Sequence, residues 1–278
     1  MRMAARWGMG RMFINEDKAG IIRNIKVFAL DMDGTVYLDE SWIDGAREFL
    51  ERIEESGRSY VFLTNNSSKN PQNYVKKLHR MGLDVGEEKI ITSGQATIFY
   101  LQRNYPGKRV FLLGNDFLKA EFEHKGIILD DVTPDVVVTA FDTSLNYKKM
   151  CRVCDFVRAG LPYIATHPDY NCPTKNGFVP DAGAIHAFIK ASAGREPDHI
   201  IGKPNKEIIK YLLARIDKTG DEVMMVGDRL YTDIAAGVNN GLSSMLVLSG
   251  ETKREDIARA KIKPQLVFDS VKEIIPFL

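Results

Sequence analysis

The sequence predicts an α/β protein, a doubly wound parallel sheet built from two stretches of chain around an inserted α/β domain. Three observations predict it. Short apolar runs alternate with helical patterns along most of the 278 residues, as in a parallel sheet covered on both faces. Several runs end in charged or polar groups, which belong at the carboxyl edge of such a sheet. The runs at either end of the chain complete one another and leave the middle as a separate block. The expected boundaries are 15–91 and 194–278 for the core and 92–193 for the insertion, with 1–14 as a leader.

The elements follow in order. Residues 15–24 carry a weak helix signal. Lys26-Val27-Phe28-Ala29-Leu30 is an apolar strand that runs into Asp31-Met32-Asp33-Gly34-Thr35. Val36 to Ile43 reads as a loop or small flap, and Gly45 to Ser56 as a helix with Phe49, Leu50 and Ile53 on one face. Ser59 to Leu63 is the next strand, ending in Thr64-Asn65-Asn66-Ser67-Ser68. Pro71 opens a helix where proline is favoured, Gly82 closes it, and Lys89-Ile90-Ile91 is a short strand. The inserted block reads as helices 96–104, 117–125, 147–159 and 182–193 between strands 109–113, 135–139 and 163–166, with a loop from His167 to Asp181. Beyond it, a strand at His199-Ile200-Ile201 leads into Gly202-Lys203-Pro204 and a helix over 205–217. Glu222 to Val226 is a strand ending in Gly227-Asp228-Arg229. A helix is expected from Thr232 to Asn240, with Thr232 as its N-cap and Asp233 in its first turn. Strands at 243–248 and 265–268 precede the closing segment 270–277.

Composition narrows the function classes. With 38 Lys and Arg against 37 Asp and Glu, the chain has no basic excess that would argue for nucleic acid. No apolar run approaches the ~18 residues of a membrane span. Three cysteines fit a reducing compartment, so a cytoplasmic protein is expected. Cys151 and Cys154 spell CxxC inside a helical pattern, which reads as helix packing and not as zinc or redox chemistry. The leader carries Arg2, Arg6 and Arg11 but no signal-type apolar core.

Asp31 and Asp33 stand where a strand ends and Gly34 lets the chain turn. Alone they could form an ordinary turn. A calcium loop is excluded, because its glycine and glutamate positions hold Val36 and Trp42. Gly202-Lys203 is not a P-loop, since Pro204 occupies the Ser/Thr position. Taken together, Asp31, Asp33, Thr64, Lys203, Asp228 and Asp233 all follow strands, and that set suits phosphoryl transfer, whose barrier is mainly electrostatic. Asp31 is the expected nucleophile and Asp33 the expected general acid and base. Thr64 is expected to hydrogen-bond a phosphoryl oxygen, and Lys203 to neutralise the crowded negative charge. Asp31, Asp228 and the backbone carbonyl of Asp33 are the expected Mg²⁺ ligands, with Asp233 orienting a metal-bound water or Lys203.

From about Val27 onward the chain resembles the haloacid dehalogenase (HAD) superfamily. Asp31-Met32-Asp33-Gly34-Thr35 is similar to its first motif and Leu63-Thr64-Asn65-Asn66 to its second. Gly202-Lys203-Pro204 is similar to the third, and Gly227-Asp228-Arg229-Leu230-Tyr231-Thr232-Asp233-Ile234 to the fourth. The resemblance implies a Rossmann-like core with an inserted α/β cap domain. Asp33 matches the residue that marks phosphatases and phosphomutases within the family. The cap type resembles the subfamily IIA branch of 4-nitrophenyl, phosphoglycolate, pyridoxal phosphate, nucleotide and sugar phosphate phosphatases. In that branch Asn65 and Asn66 match positions that bind substrate phosphate or line the pocket. His167 and Asp181 depart from an Asn and a Gly common there, at places where the leaving group would be read. The expected partner is therefore a small phosphorylated metabolite, and relatives that pair through the cap imply a homodimer. Two alternatives stay open: a phosphate-accepting regulatory or phosphometabolite-binding protein without turnover, and a phosphomutase.

Overall fold

The computed structural model describes residues 18–174 and 177–278. The leader expected at 1–14 lies outside the described residues. The chain divides into two compact units, one holding the residues up to Phe62 and from Lys218 on, the other Leu63–Asp217.

The first unit opens with helix α1 (18–23) and strand β1 (Val27–Leu30), whose four apolar side chains are all buried. The expected flap is a two-stranded antiparallel hairpin, β2 (Tyr37–Leu38) with β3 (Ser41–Trp42). Helix α2 (Ala46–Glu55) buries Ala46, Phe49, Leu50 and Ile53, the apolar face its periodicity marks. Strand β4 (Ser59–Thr64) passes from this unit into the second after Phe62.

The second unit, which extends beyond the 92–193 block expected as the insertion, alternates helices and strands. Helix α3 (Pro71–Arg80) is closed at its start by a reciprocal cap between Asn70 and Asn73. Strand β5 (Ile90–Thr92) runs directly into α4 (Ser93–Asn104). This helix starts three residues before the expected Ala96, because Thr92 and Gln95 form a capping box with bonds of 3.1 and 3.2 Å. There follow β6 (Arg109–Leu113), α5 (Asp116–His124), β7 (Ile128–Leu129), β8 (Val136–Thr139), α6 (Tyr147–Arg158) and β9 (Tyr163–Ala165). The 167–181 loop contains a hairpin of β10 (Asn171–Thr174) and β11 (Gly177–Pro180). Helix α7 (Ala182–Ala193), β12 (His199–Ile200) and α8 (Lys206–Ile216) complete the unit. Its five-stranded sheet is parallel throughout, in the order β12-β9-β8-β6-β7. Cys154 is buried within α6 in one core cluster with Val153 and Val157, whereas Cys151 on the same helix is exposed and does not pack there.

The chain then returns to the first unit with β13 (Val223–Gly227), a π-type turn over Leu230–Ile234, α9 (Ala235–Asn239), β14 (Ser243–Val247), α10 (Arg254–Arg259) and β15 (Leu266–Phe268). The order β15-β14-β13-β1-β4 is parallel, with Val27–Leu30 in register with Val223–Val226 on one side and Ser59–Phe62 on the other. Thr232 is not an N-cap: the wide turn begins two residues earlier and contains it. That wider turn lets the Asp233 carboxylate accept from the Arg229 N–H at 3.1 Å, so the capping role falls to Asp233.

One buried histidine makes the second unit acid-sensitive. His186 on α7 lies edge-on to Tyr163, and its buried Nε2 has no hydrogen-bond partner. Burial first, and then His167, push its pKa down to about 3, against a smaller opposing pull from Asp181. The unfolded chain therefore binds a proton that the folded chain refuses between pH ~6.5 and about 3, so stability falls as pH falls through that window. At pH 5 the penalty is about 2 kcal/mol. Thermal melts at neutral and acid pH should show His186→Leu losing less Tm on acidification than the parent protein. An equal loss in both would remove His186 as the cause.

Candidate active site

In the first unit, neighbouring strands bring the key carboxylates together. Leu30 of β1 is in register with Val226 of β13, so the residues just beyond them emerge side by side. The Asp31 N–H donates to the Val226 carbonyl at 2.8 Å and ties the two strand ends. Carboxylate oxygens of Asp31, Asp228 and Asp233 all lie within 4.8 Å of one another. After Asp31 the chain turns tightly, with the Met32 carbonyl accepting from the N–H groups of Thr35, Val36 and Tyr37. Half-buried Asp33 sits inside this turn.

Glycines make room for the cluster. Gly34 has a φ of +89°, and a Cβ there would lie 2.6 Å from Asp228 Oδ2. At Gly250 a Cβ would come within 1.9 Å of the same oxygen, and at Gly227 within 2.3 Å of Asp233 Cγ. Asp228 Oδ2 accepts the Glu251 N–H at 2.7 Å, whereas its Oδ1 is buried and takes no hydrogen bond. Burial, then Asp31, then Asp233 raise the Asp228 pKa to about 8, and the Glu251 N–H offsets only part of this. A buried set of oxygen donors that disfavours its own charge suits a hard divalent cation.

No role for Arg229 is expected from the sequence. Its guanidinium is mostly buried, at 16% side-chain exposure, and pairs with Glu251 at 2.9 Å. Burial disfavours its charge, but Asp31 and Asp228 outweigh that and hold its pKa above the usual value. Arg229 thus lies in the field of the carboxylate cluster. Adjacency to Asp228 was the only signal in the sequence that could have found it.

The second unit gathers the remaining expected residues. Lys203 is 2% exposed, and its Nζ donates to the Leu63 carbonyl at 2.8 Å. Thr64 Oγ1 accepts the Asn66 N–H at 3.1 Å. Asn66 Oδ1 accepts from the Ser68 N–H and hydroxyl, both at 2.8 Å, which folds the 66–68 turn. The Asn65 side chain bonds to the backbone of Lys203 and to Asp169. His167 and Asp181 depart from the expectation that they read substrate. His167 has no exposed surface, and its Nε2 meets Asp181 Oδ1 at 2.8 Å while Nδ1 meets Thr166 Oγ1 at 2.9 Å. Burial opposes charge on His167, but Asp181 and Asp169 prevail, and its pKa is raised. Asp181 also caps α7, so both side chains are engaged in holding that helix to the 166–169 loop. Gly183 completes the junction, because a Cβ there would lie 2.3 Å from the Pro168 carbonyl oxygen.

Comparison with known proteins gives the family. Residues 28–128 match the model of the haloacid dehalogenase-like hydrolases, and residues 200–274 match a second HAD-hydrolase-like model. The chain is 33% identical over 255 residues to an acid sugar phosphatase of Staphylococcus aureus, covering 91% of this chain and 98% of that one. Among solved structures it is similar to a 4-nitrophenylphosphatase of Thermotoga maritima, with 46% identity, a TM-score of 0.89, and coverage of 92% of this chain and 98% of that one. It is also similar to a p-nitrophenyl phosphatase of Archaeoglobus fulgidus, with 31% identity, a TM-score of 0.85, and coverage of 91% and 99%. The fold and these relatives make the protein an α/β hydrolase of phosphate monoesters, with the Rossmann-like core and cap of its structural neighbours. The chain belongs to the haloacid dehalogenase-like hydrolases, as one of their phosphatases. Among the described residues, no helix is long and apolar enough to cross a membrane.

Proposed function

We propose that the protein hydrolyses small phosphate monoesters (sugar phosphates, nucleotides or phosphoglycolate-like acids) through a phosphoryl group carried on Asp31. The observation that carries this reading is the cluster of half-buried Asp31 with buried Asp228 and Asp233, the Asp228 Oδ1 taking no hydrogen bond. The acid sugar phosphatase and nitrophenylphosphatase relatives support the substrate class.

HAD phosphatases generally use Mg²⁺, and the donor set fits it. Asp31, Asp228 and the Asp33 carbonyl would hold the ion, which when bound supplies positive charge to the phosphoryl oxygens and relieves the repulsion among the carboxylates. Asp31 attacks phosphorus in line, and Asp33 gives its proton to the departing ester oxygen. Asp33 then takes a proton from water, which attacks the same phosphorus and frees Asp31. Thr64 donates a hydroxyl hydrogen bond and Lys203 a positive charge to the transferring group, roles supported by the motif match of each residue. Asp233 keeps the 229–233 turn in shape beside Asp228. Arg229 balances the negative charge of Asp31 and Asp228.

Release of inorganic phosphate from a panel of esters, including 4-nitrophenyl phosphate, tests the reading. Release with Mg²⁺ and none with EDTA is expected. A panel that yields no phosphate under either condition, or equal rates in both, would contradict it.

A further inference from the structure

The side chain of Asn65 has no N–H donor left for a substrate phosphate. It is 5% exposed. Its Oδ1 accepts the backbone N–H of Lys203 at 2.7 Å, and because that N–H must donate, the orientation of the amide is fixed. The Nδ2 therefore faces the Lys203 carbonyl at 3.0 Å and both oxygens of the Asp169 carboxylate, at 3.2 and 3.3 Å. A side-chain amide has two N–H donors, and both are engaged here, while Oδ1 is tied to the Lys203 N–H; phosphate oxygens can only accept, so no donor remains for them. The Asn65 backbone carbonyl is held as well, by the Ser93 hydroxyl. Nothing here is slack: a Cβ at Gly202 would lie 2.6 Å from Asn65 Oδ1 and 2.7 Å from His167 Cβ. The far end of Lys203 returns to the same strand end, its Nζ donating to Leu63. Lys203 is thus gripped at backbone and ammonium by residues 63–65, and the same amide ties it to the 166–169 loop through Asp169.

We infer that Asn65 is a positioning residue: it fixes Lys203 and couples it to Asp169, and it does not itself contact phosphate. This rests on the proposed role of Lys203 in phosphoryl transfer. Asn65→Asp keeps the shape and the acceptor toward the Lys203 N–H. It replaces the donor with a carboxylate oxygen facing the Lys203 carbonyl and Asp169, so the clasp should open.

A double-mutant cycle with Lys203→Met tests the inference. Asn65→Asp should lower kcat by about a hundredfold, the scale of a displaced catalytic group. In the Lys203→Met background it should change kcat by less than about twofold, because the residue it acts through is already gone. Effects that multiply in full would overturn the proposal. A readout independent of turnover is the NMR signal of the Lys203 side chain, identified by its loss in Lys203→Met. That signal should shift in Asn65→Asp and stay in place in Asn115→Asp, a buried amide bonded instead to Ser68 and Thr143. An unmoved Lys203 signal in Asn65→Asp would sink the inference whatever the rates. If the parent protein released no phosphate yet the signal moved, the proposed function would fall and the positioning would stand.

Discussion

Asp31→Asn is expected to remove turnover, with kcat falling by at least about 10⁴-fold, the scale on which loss of a nucleophile is felt. The amide is nearly isosteric with the carboxylate but cannot attack phosphorus. The fold should survive, because the Asp31 backbone N–H still donates to the Val226 carbonyl in the variant. The substitution also removes one of the negative charges that raise the Asp228 pKa. The variant should therefore melt no lower than the parent in the absence of metal. Steady-state phosphate release and a thermal melt on the same preparation check both halves. A variant that keeps more than about a tenth of the parent rate would exclude Asp31 as the nucleophile.

Asp228→Asn is expected to have the next largest effect, and in two opposite directions. Turnover should fall by about 10³-fold, comparable to losing a major electrostatic contribution to the transition state. Stability without metal should rise. In the parent, Asp228 buries one carboxylate oxygen with no hydrogen bond, close to Asp31 and Asp233. Asparagine keeps an acceptor for the Glu251 N–H and turns an N–H donor toward the other two carboxylates. Relief of about 1–3 kcal/mol is the usual scale for a buried polar atom that gains a partner. The response to Mg²⁺ should change as well. A hundredfold excess of metal over its Kd stabilises a folded protein by about 2.7 kcal/mol. The parent should gain several degrees of Tm on adding Mg²⁺, and Asp228→Asn should gain little. An equal metal-dependent gain in both would place the ion elsewhere.

The strand ends that carry the site were legible in the sequence because their signals are local. The apolar residues of Val27–Leu30 and Val223–Val226 have few other ways to be buried than in a parallel sheet, and that pairing brings Asp31 to Asp228. Lys203 and Thr64 became candidates by the same logic. What stayed hidden depends on partners distant in the chain. Asn65 reads as a pocket amide until its bonds to Lys203, 138 positions away, are seen. Arg229 has no readable role until Asp31, far away in the chain, is placed in its field. His167 and Asp181 sit only 14 positions apart, yet nothing in an irregular loop indicated that they would meet face to face and leave solvent. The early start of α4 was missed for a different reason: the Thr92–Gln95 box was present in the sequence, but strand-like residues precede it without a break.

The most direct test of the account is to catch the phosphoryl group on Asp31. The protein would be mixed with Mg²⁺ and a rapidly cleaved ester, quenched in acid within the first turnover, and digested for mass spectrometry. The account predicts a phosphoryl adduct on the peptide containing Asp31, removed by hydroxylamine as an acyl phosphate should be, and absent from Asp31→Asn. Phosphate release in the first turnover with no adduct on that peptide, or an adduct on another residue that survives in Asp31→Asn, would contradict it.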